Sequence, residues 1–408
     1  MYCLPRFILF SLAFAIVCSF AALAQDKQYG LGVSDTEIKL GQTMPLSGPL
    51  SALSAVGKSG AAYFDMINAQ GGVNGRKIRL IMRDDGYNPV KTFEQTRALV
   101  EQEGVLALFA SLGGTTNGAI HKYVNDNGVP HLFISTNLMR WADPQHFPWT
   151  IPSIRAPFYL EGKIYGQYIK QVRPNAKIAV LYFLEDTAKD YLAGFREGLG
   201  DNAKTMIVAE ATHDVTDPTV DSQIISLKAS GADTLFTLAG PKHAALAIRK
   251  VYDIGWRPLQ IVPFFASSIG AVLSPVGLEK SVGLISSAVA KDPADPQWQN
   301  DPAMKDYLAW AKKWYSHDDA ATWDSVVGYS KAQLMVHILK QCGDNLTREN
   351  LLRHATNIKD LQLPMMLPGI KIDTSPTDYL PVEDLQLVRF DGKRWVSFGP
   401  VLGRGMMH

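Results

Sequence analysis

The chain has 408 residues, 47% of them hydrophobic, with 40 Lys plus Arg against 39 Asp plus Glu. So even a balance excludes a basic surface built for nucleic acid or for an anionic membrane. The length exceeds what one hydrophobic core normally serves, so two domains are expected.

At the amino terminus, Arg6 precedes an apolar run from Phe7 to Val17, and Ala22-Leu-Ala24 has the small-x-small pattern of a signal-peptidase site. Residues 1–24 are therefore read as a signal peptide, with an uncleaved anchor as the alternative, and the mature chain is expected in the periplasm. Cleavage takes away Arg6 and no acid, leaving equal numbers of basic and acidic residues. It also removes Cys3 and Cys18, so Cys342 has no partner for an intramolecular disulfide.

Beyond the signal, strands and helices alternate. Ile38–Gly41 reads as a strand, Gly57–Ala69 as a helix, Ile78–Arg83 as a strand, Lys91–Gln102 as a helix, Val105–Ala110 as a strand, Thr116–Asn127 as a helix and His131–Ser135 as a strand. This is the rhythm of a parallel α/β sheet. Four prolines between Asp143 and Pro157 interrupt it and point to a crossing between domains. The alternation resumes with helix Leu160–Val172, strand Lys177–Tyr182, helix Lys189–Leu199, strand Met206–Glu210, helix Val220–Ala229, strand Thr234–Leu238, helix His243–Ile254 and strand Gln260–Pro263. A second parallel sheet is expected. A short strand within Val282–Ala290 and helices at Pro302–Tyr315, Ser325–Gln341 and Arg348–Ala355 complete the series.

Within this series, Ile67-Asn-Ala-Gln-Gly-Gly-Val-Asn-Gly-Arg-Lys-Ile78 changes from helical to strand periodicity and runs on to Asp84-Asp85. Together with Gly41-Gln-Thr-Met-Pro-Leu-Ser-Gly-Pro49 and Pro174-Asn-Ala-Lys-Ile-Ala-Val-Leu-Tyr182, followed by Lys189-Asp-Tyr191, it closely resembles bacterial solute-binding proteins of the leucine/isoleucine/valine-binding type. The resemblance covers roughly residues 37–390. It implies two doubly wound parallel-sheet lobes joined by a three-crossover hinge, the fold of a type I periplasmic binding protein. Lobe I would hold residues 25–150 and 288–361, and lobe II residues 151–287 and 362–408. Ligand would lie between the lobes at the carboxyl ends of the strands.

Two loops build the lobe I side of the site. Ser111-Leu-Gly-Gly-Thr-Thr-Asn117 opens a helix, where free backbone N–H groups favour an anion by about 1–2 kcal/mol. Ser135-Thr-Asn-Leu138 follows the next strand. The resemblance gives Gly114, Thr115, Ser135 and Asn137 as the residues that hold a ligand carboxylate. Asp84 and Asp85 read as turn and helix caps rather than a metal site.

The expected lobe II side departs from amino-acid binders. Where those carry an acid for the ligand ammonium, this chain has Phe265 beside Phe264. An ammonium without a partner costs about 3–5 kcal/mol. Free branched-chain amino acids are therefore disfavoured unless Glu185 or Asp186 reaches the same point. Two phenylalanines suit an apolar or aromatic body, the alternative being that they pack under the hinge. Thr187 and Gly240 stand where relatives carry larger ligand-facing residues, and Leu53, in a lengthened loop, is placed to enter the space. Trp141 and Arg155 flank the first crossing.

Enzyme signatures are missing: no Gly-x-Ser-x-Gly, His-Glu-x-x-His, phosphate loop or paired-cysteine metal motif occurs. His317-Asp-Asp319 reads as a solvated helix end and Asn345-Leu-Thr347 as a helix cap. The expectation is a monomeric extracytoplasmic solute-binding subunit without cofactor or metal. It closes on a small apolar or aromatic carboxylate and meets the permease of an ABC importer. Branched-chain amino acid or amide binding, or service as the sensing component of a receptor, are the alternatives.

Overall fold

A computed structural model describes residues 27–48, 50–315 and 322–403, together with residues 2 and 320. Apart from residue 2, the expected signal peptide lies outside the described residues, as do Pro49 and His317-Asp-Asp319.

The first sheet is built from β2 (Glu37–Met44), β3 (Lys77–Asp84), β4 (Ala107–Phe109) and β5 (His131–Leu132), and the short β1 (Gln28–Tyr29) lies apart from it. Its strands are all parallel, in the order β3-β2-β4-β5. Helices α1 (Ala55–Ala69), α2 (Pro89–Arg97) and α3 (Gly114–Asp126) make the connections. The α1-to-β3 turn has Asn74 and Gly75 at φ 49° and 81°, between Val73 and Arg76, which pair with each other. Arg76 then reaches Asp344 at 2.6 Å, 268 positions away. Helix α2 starts earlier than its periodicity predicts because Asn88 accepts from Val90 N and Lys91 N at 3.0 and 3.1 Å, with Pro89 in the first turn.

The second sheet takes α4 (Phe158–Val172), β6 (Ile178–Phe183), α5 (Asp186–Leu199), α6 (Ala203–Met206), β7 (Ile207–His213), α7 (Asp221–Ala229), β8 (Thr234–Leu238), α8 (Pro241–Asp253), β9 (Leu259–Ile261), α9 (Ser274–Val276) and β10 (Ile285–Ala288). Strands β7-β6-β8-β9-β10 run parallel. Helices α4 and α5 cross so closely that a Cβ added at Gly166 would lie 2.9 Å from Leu199 N, and one at Gly198 2.9 Å from Gln167 N. This contact fixes where the amino end of α5 points.

Helices α10 (Pro302–Trp314), α11 (Trp323–Cys342) and α12 (Arg348–Ala355) return to the first sheet. Ser59 Oγ donates to Ser325 O at 2.6 Å, Arg348 donates to the Val105 and Leu106 carbonyls, and β11 (Asn345–Leu346) pairs with β1. Thr347 caps α12 through Asn350 N, as expected. Between the sheets, Ile151 N bonds His131 O, while Lys291 N and Leu367 N bond Met365 O and Val289 O. The later two passages therefore run side by side, with Ala290 antiparallel to Met366.

One feature departs from the expected all-parallel pattern. Strands β12 (Leu385–Phe390) and β13 (Trp395–Leu402) form an antiparallel hairpin, and β12 joins β10 antiparallel, which makes the second sheet mixed at that edge. A hairpin turn is too short for a parallel crossover, so consecutive strands here must reverse direction.

Candidate functional site

The loops that leave the carboxyl ends of β2, β4, β5, β6, β8 and β9 carry every candidate residue. On the lobe I side, Asp84 accepts from Leu46 N, Ser47 N, Ser47 Oγ and Gly86 N, and pairs with Lys91 at 3.1 Å. Ser47's hydroxyl, first among these donors, holds its carboxyl well below the usual range. Buried Asp85 accepts from Tyr87 N and Thr92 Oγ1. The acids thus tie down a turn and a helix start, and they present Tyr87 at φ 61° toward α3.

Helix α3 begins after Gly113, whose φ is 108°. A Cβ there would lie 2.6 Å from Tyr87 Cε2, so only glycine lets that ring lie against the turn. No side chain caps the helix. Thr116 Oγ1 donates backward to Leu112 O, and Asn117 Nδ2 to Ser111 O and Gly113 O, which rigidifies the loop without using its forward N–H groups. Instead the Tyr87 ring lies against Gly113, which brings its hydroxyl near Gly114, Thr115 and the Glu185 carboxyl. Burial, followed by the Glu185 charge, raises the Tyr87 pKa.

Glu185 precedes α5 and belongs to the second sheet's layer, so the Tyr87 hydroxyl and this carboxyl approach each other across the two sheets' loops. Its carboxyl is also pushed up, chiefly by burial. Further contacts join the same two surfaces, Arg140 to Asp186 at 3.0 Å and Met139 N to Asp190 at 3.3 Å, while Arg140 Nη2 also donates to Gly114 O at 3.3 Å on its own side. Burial raises the Asp190 carboxyl to about 6. Thr187 Oγ1 lies 3.9 Å from the point a Gly114 Cβ would occupy. Gly114, Thr115 and Thr187 are therefore brought together, with Tyr87, Arg140 and Glu185 around them.

Ser135 and Asn137 face a different neighbourhood. Ser135 Oγ donates to Ala110 O at 3.0 Å and accepts from Lys331 Nζ at 2.8 Å. Asn137 Nδ2 donates to the Arg155 and Ala156 carbonyls, fixing the first crossing segment. Lys331 is fully buried on α11, and desolvation drives its pKa far down.

On the lobe II side, the Phe265 ring lies 5.4 Å from Phe264, 5.9 Å from Tyr191, 6.3 Å from Phe158 and 6.4 Å from Phe183, largely edge-on. Phe264 is buried while Phe265 keeps one part exposed. Below them, buried Glu161 accepts from Tyr165 OH (2.5 Å), Tyr191 OH (2.6 Å), Ser287 Oγ (2.9 Å) and Phe264 N (3.0 Å). Burial nonetheless outweighs these donors and raises its pKa. Gly240 caps α8, and an added Cβ would meet nothing within 4 Å. Leu53 is half-buried in the turn Ser51–Ser54 and packs on the core.

Tyr87, Arg140, Glu161 and Lys331 are the residues that sequence reasoning missed. Lys331 and Glu161 did carry a signal, as charges within the apolar faces of α11 and α4.

The family model for "Periplasmic binding protein" matches residues 37–394. The chain belongs to the periplasmic binding proteins. This is a family of extracytoplasmic substrate-binding proteins and not of enzymes. Among curated relatives, Leu/Ile/Val-binding protein homolog 7 of Brucella abortus is 27% identical over 262 residues. That match takes in 60% of this chain and 62% of the relative's length. A branched-chain amino acid ABC transporter structure from Thermus thermophilus with bound valine superposes with TM-score 0.81, at 13% identity, over 91% of this chain and 98% of that one. A solute-binding protein from R. palustris in complex with benzoate gives 0.73 and 17% over 90% and 98%. The fold is therefore that of a two-lobed type I periplasmic binding protein, and no described helix is long and apolar enough to cross a membrane.

Proposed function

We propose that the chain is the periplasmic substrate-binding subunit of an ABC importer, released by removal of residues 1–24, and that it closes two lobes on a small apolar or aromatic carboxylate. Lobe I comprises residues 25–150 and 288–361, and lobe II residues 151–287 and 362–408. The observation that carries this reading is Phe265, a part-exposed ring backed by Phe158, Phe183 and Tyr191. Such a wall takes an apolar body. It offers nothing to an ammonium, because the acid beneath it, Glu161, already accepts four hydrogen bonds. Gly114 and Thr115 with Thr187 form the polar side and Phe265 the apolar one, Gly240 leaves space beside them, and Ser135 and Asn137 brace the crossing while Leu53 packs on the core. The benzoate complex of a structural neighbour supports the class of ligand.

Glu185 favours a second reading. Its carboxyl lies near Tyr87 and carries no ion pair among the described residues, so an amino acid's ammonium would find a partner there. A thermal-shift screen of aromatic acids, aliphatic acids and amino acids separates the two. Stabilisation by acids that lack an amino group supports the carboxylate reading. Stabilisation by leucine or valine alone transfers the site to Glu185 and overturns it.

A further inference from the structure

We infer that Arg155 is the specificity-determining anchor for the ligand's carboxylate, so that the site selects an anion through a guanidinium at the hinge and not only through the α3 amides. The inference rests on the carboxylate reading above and deepens it.

Arg155 lies on the first crossing between the sheets. Its guanidinium carbon sits 4.0 Å from the Phe264 ring centroid and 4.4 Å from that of Trp323. Two aromatic faces hold the planar group while leaving its N–H edge directions open. Among the described residues, no carboxylate or carbonyl accepts a hydrogen bond from that guanidinium. Arg155 is part-buried, so its five donors keep access to the solvent-filled side of the crossing, where a ligand can supply the acceptor. Burial lowers its pKa to about 10, which leaves it charged at neutral pH.

The backbone under it is rigid, because Asn137 Nδ2 donates to the Arg155 and Ala156 carbonyls. Lys331, which burial disfavours as a cation, donates to Ser135 Oγ and Ile134 O among the described residues and gives Arg155 no acceptor. Asp324, Tyr191 and Glu161 are the groups that favour the charged Arg155, but Glu161 already has its four donors. A ligand carboxylate meets this need with a bidentate pair, the geometry guanidinium groups favour. Phe264 touches both Arg155 and Phe265. A ligand whose carboxylate engages Arg155 therefore lies within one ring's breadth of the apolar wall. Planar aromatic acids and short branched acids have that span.

The test compares benzoate with the neutral isostere benzamide by isothermal titration calorimetry on wild type, Arg155→Met and Arg155→Lys. Removing one partner of a desolvated charge pair typically weakens binding by at least about 30-fold. Arg155→Met is expected to lose that factor for benzoate while its benzamide affinity stays within about threefold. Arg155→Lys should recover part of the loss, since it restores charge without the fork. An equal loss for both ligands would mean that Arg155 only braces the hinge, and it would overturn the inference. Undiminished benzoate binding by Arg155→Met would overturn it too, leaving the carboxylate reading intact. If wild type binds neither benzoate nor 4-methylpentanoate, the carboxylate reading falls and the role of Arg155 falls with it.

Discussion

Acidification should weaken the lobe I scaffold through two histidines, His121 on the buried face of α3 and His131 on β5. His131 is fully buried with neither ring nitrogen hydrogen-bonded among the described residues, and His121 stacks on Phe147 at 3.9 Å and meets Trp141 edge-on at 4.6 Å. Desolvation drives their pKa values to about 3 and about 4, with Arg140 also lowering that of His121 and Asp143 opposing. Both folded values lie below the ordinary 6.5. Their contribution is therefore fully present above pH 6.5 and is lost as pH falls toward 4, because the unfolded chain takes up protons that the native state refuses. At pH 5 the loss is about 2 kcal/mol for each ring. The buried acids Asp190 and Asp292, both raised to about 6, shift stability the other way. Comparison with a variant cancels them. His131→Leu removes one titrating ring, so its stability should fall by about 2 kcal/mol less than wild type's between pH 7 and pH 5. Urea denaturation followed by tryptophan fluorescence at both pH values gives the difference. Identical pH dependence in the two proteins would refute the claim that His131 is held neutral by its burial.

Gly113→Ala forces a Cβ to within 2.6 Å of the Tyr87 ring at a φ of 108°. Strain of this kind costs about 1–3 kcal/mol, and a melting temperature lower by several degrees is expected in differential scanning calorimetry. Arg140→Gln removes the ion pair with Asp186, whose members are 47% and 36% exposed. Such a pair is worth about 0.2–1 kcal/mol, so ligand affinity should fall up to about fivefold at low salt. That difference should vanish when titrated in about 0.5 M NaCl, where surface charges are screened.

Local chemistry made much of the scaffold legible in the sequence. The switch of period across Ile67–Asp85 marks a real helix-to-strand passage, and Thr347 acts as a helix start because capping depends on neighbours a few residues away, although the cap at Asn88 starts α2 before the Lys91 that periodicity gave. The loops bearing Gly114 and Thr187 were also legible, since they follow strands whose ends must face the interface between lobes. Long-range pairing was not. Lys331 meets Ser135 across 196 positions and Glu161 meets Ser287 across 126, and no periodicity encodes such partners. Tyr87 escaped notice because its role depends on the absent side chain at Gly113. The antiparallel edge β12–β13 escaped because alternation gives a strand but not its direction.

The claim that this cleft takes a carboxylate and refuses an ammonium is tested most directly by titrating wild type with 4-methylpentanoate and with leucine, which differ only by the amino group. If Phe265 stands where an amino-acid binder would need an acid, 4-methylpentanoate binds at least tenfold more tightly than leucine in calorimetry at pH 7. Tighter binding of leucine would contradict the account and make Glu185 the ammonium partner.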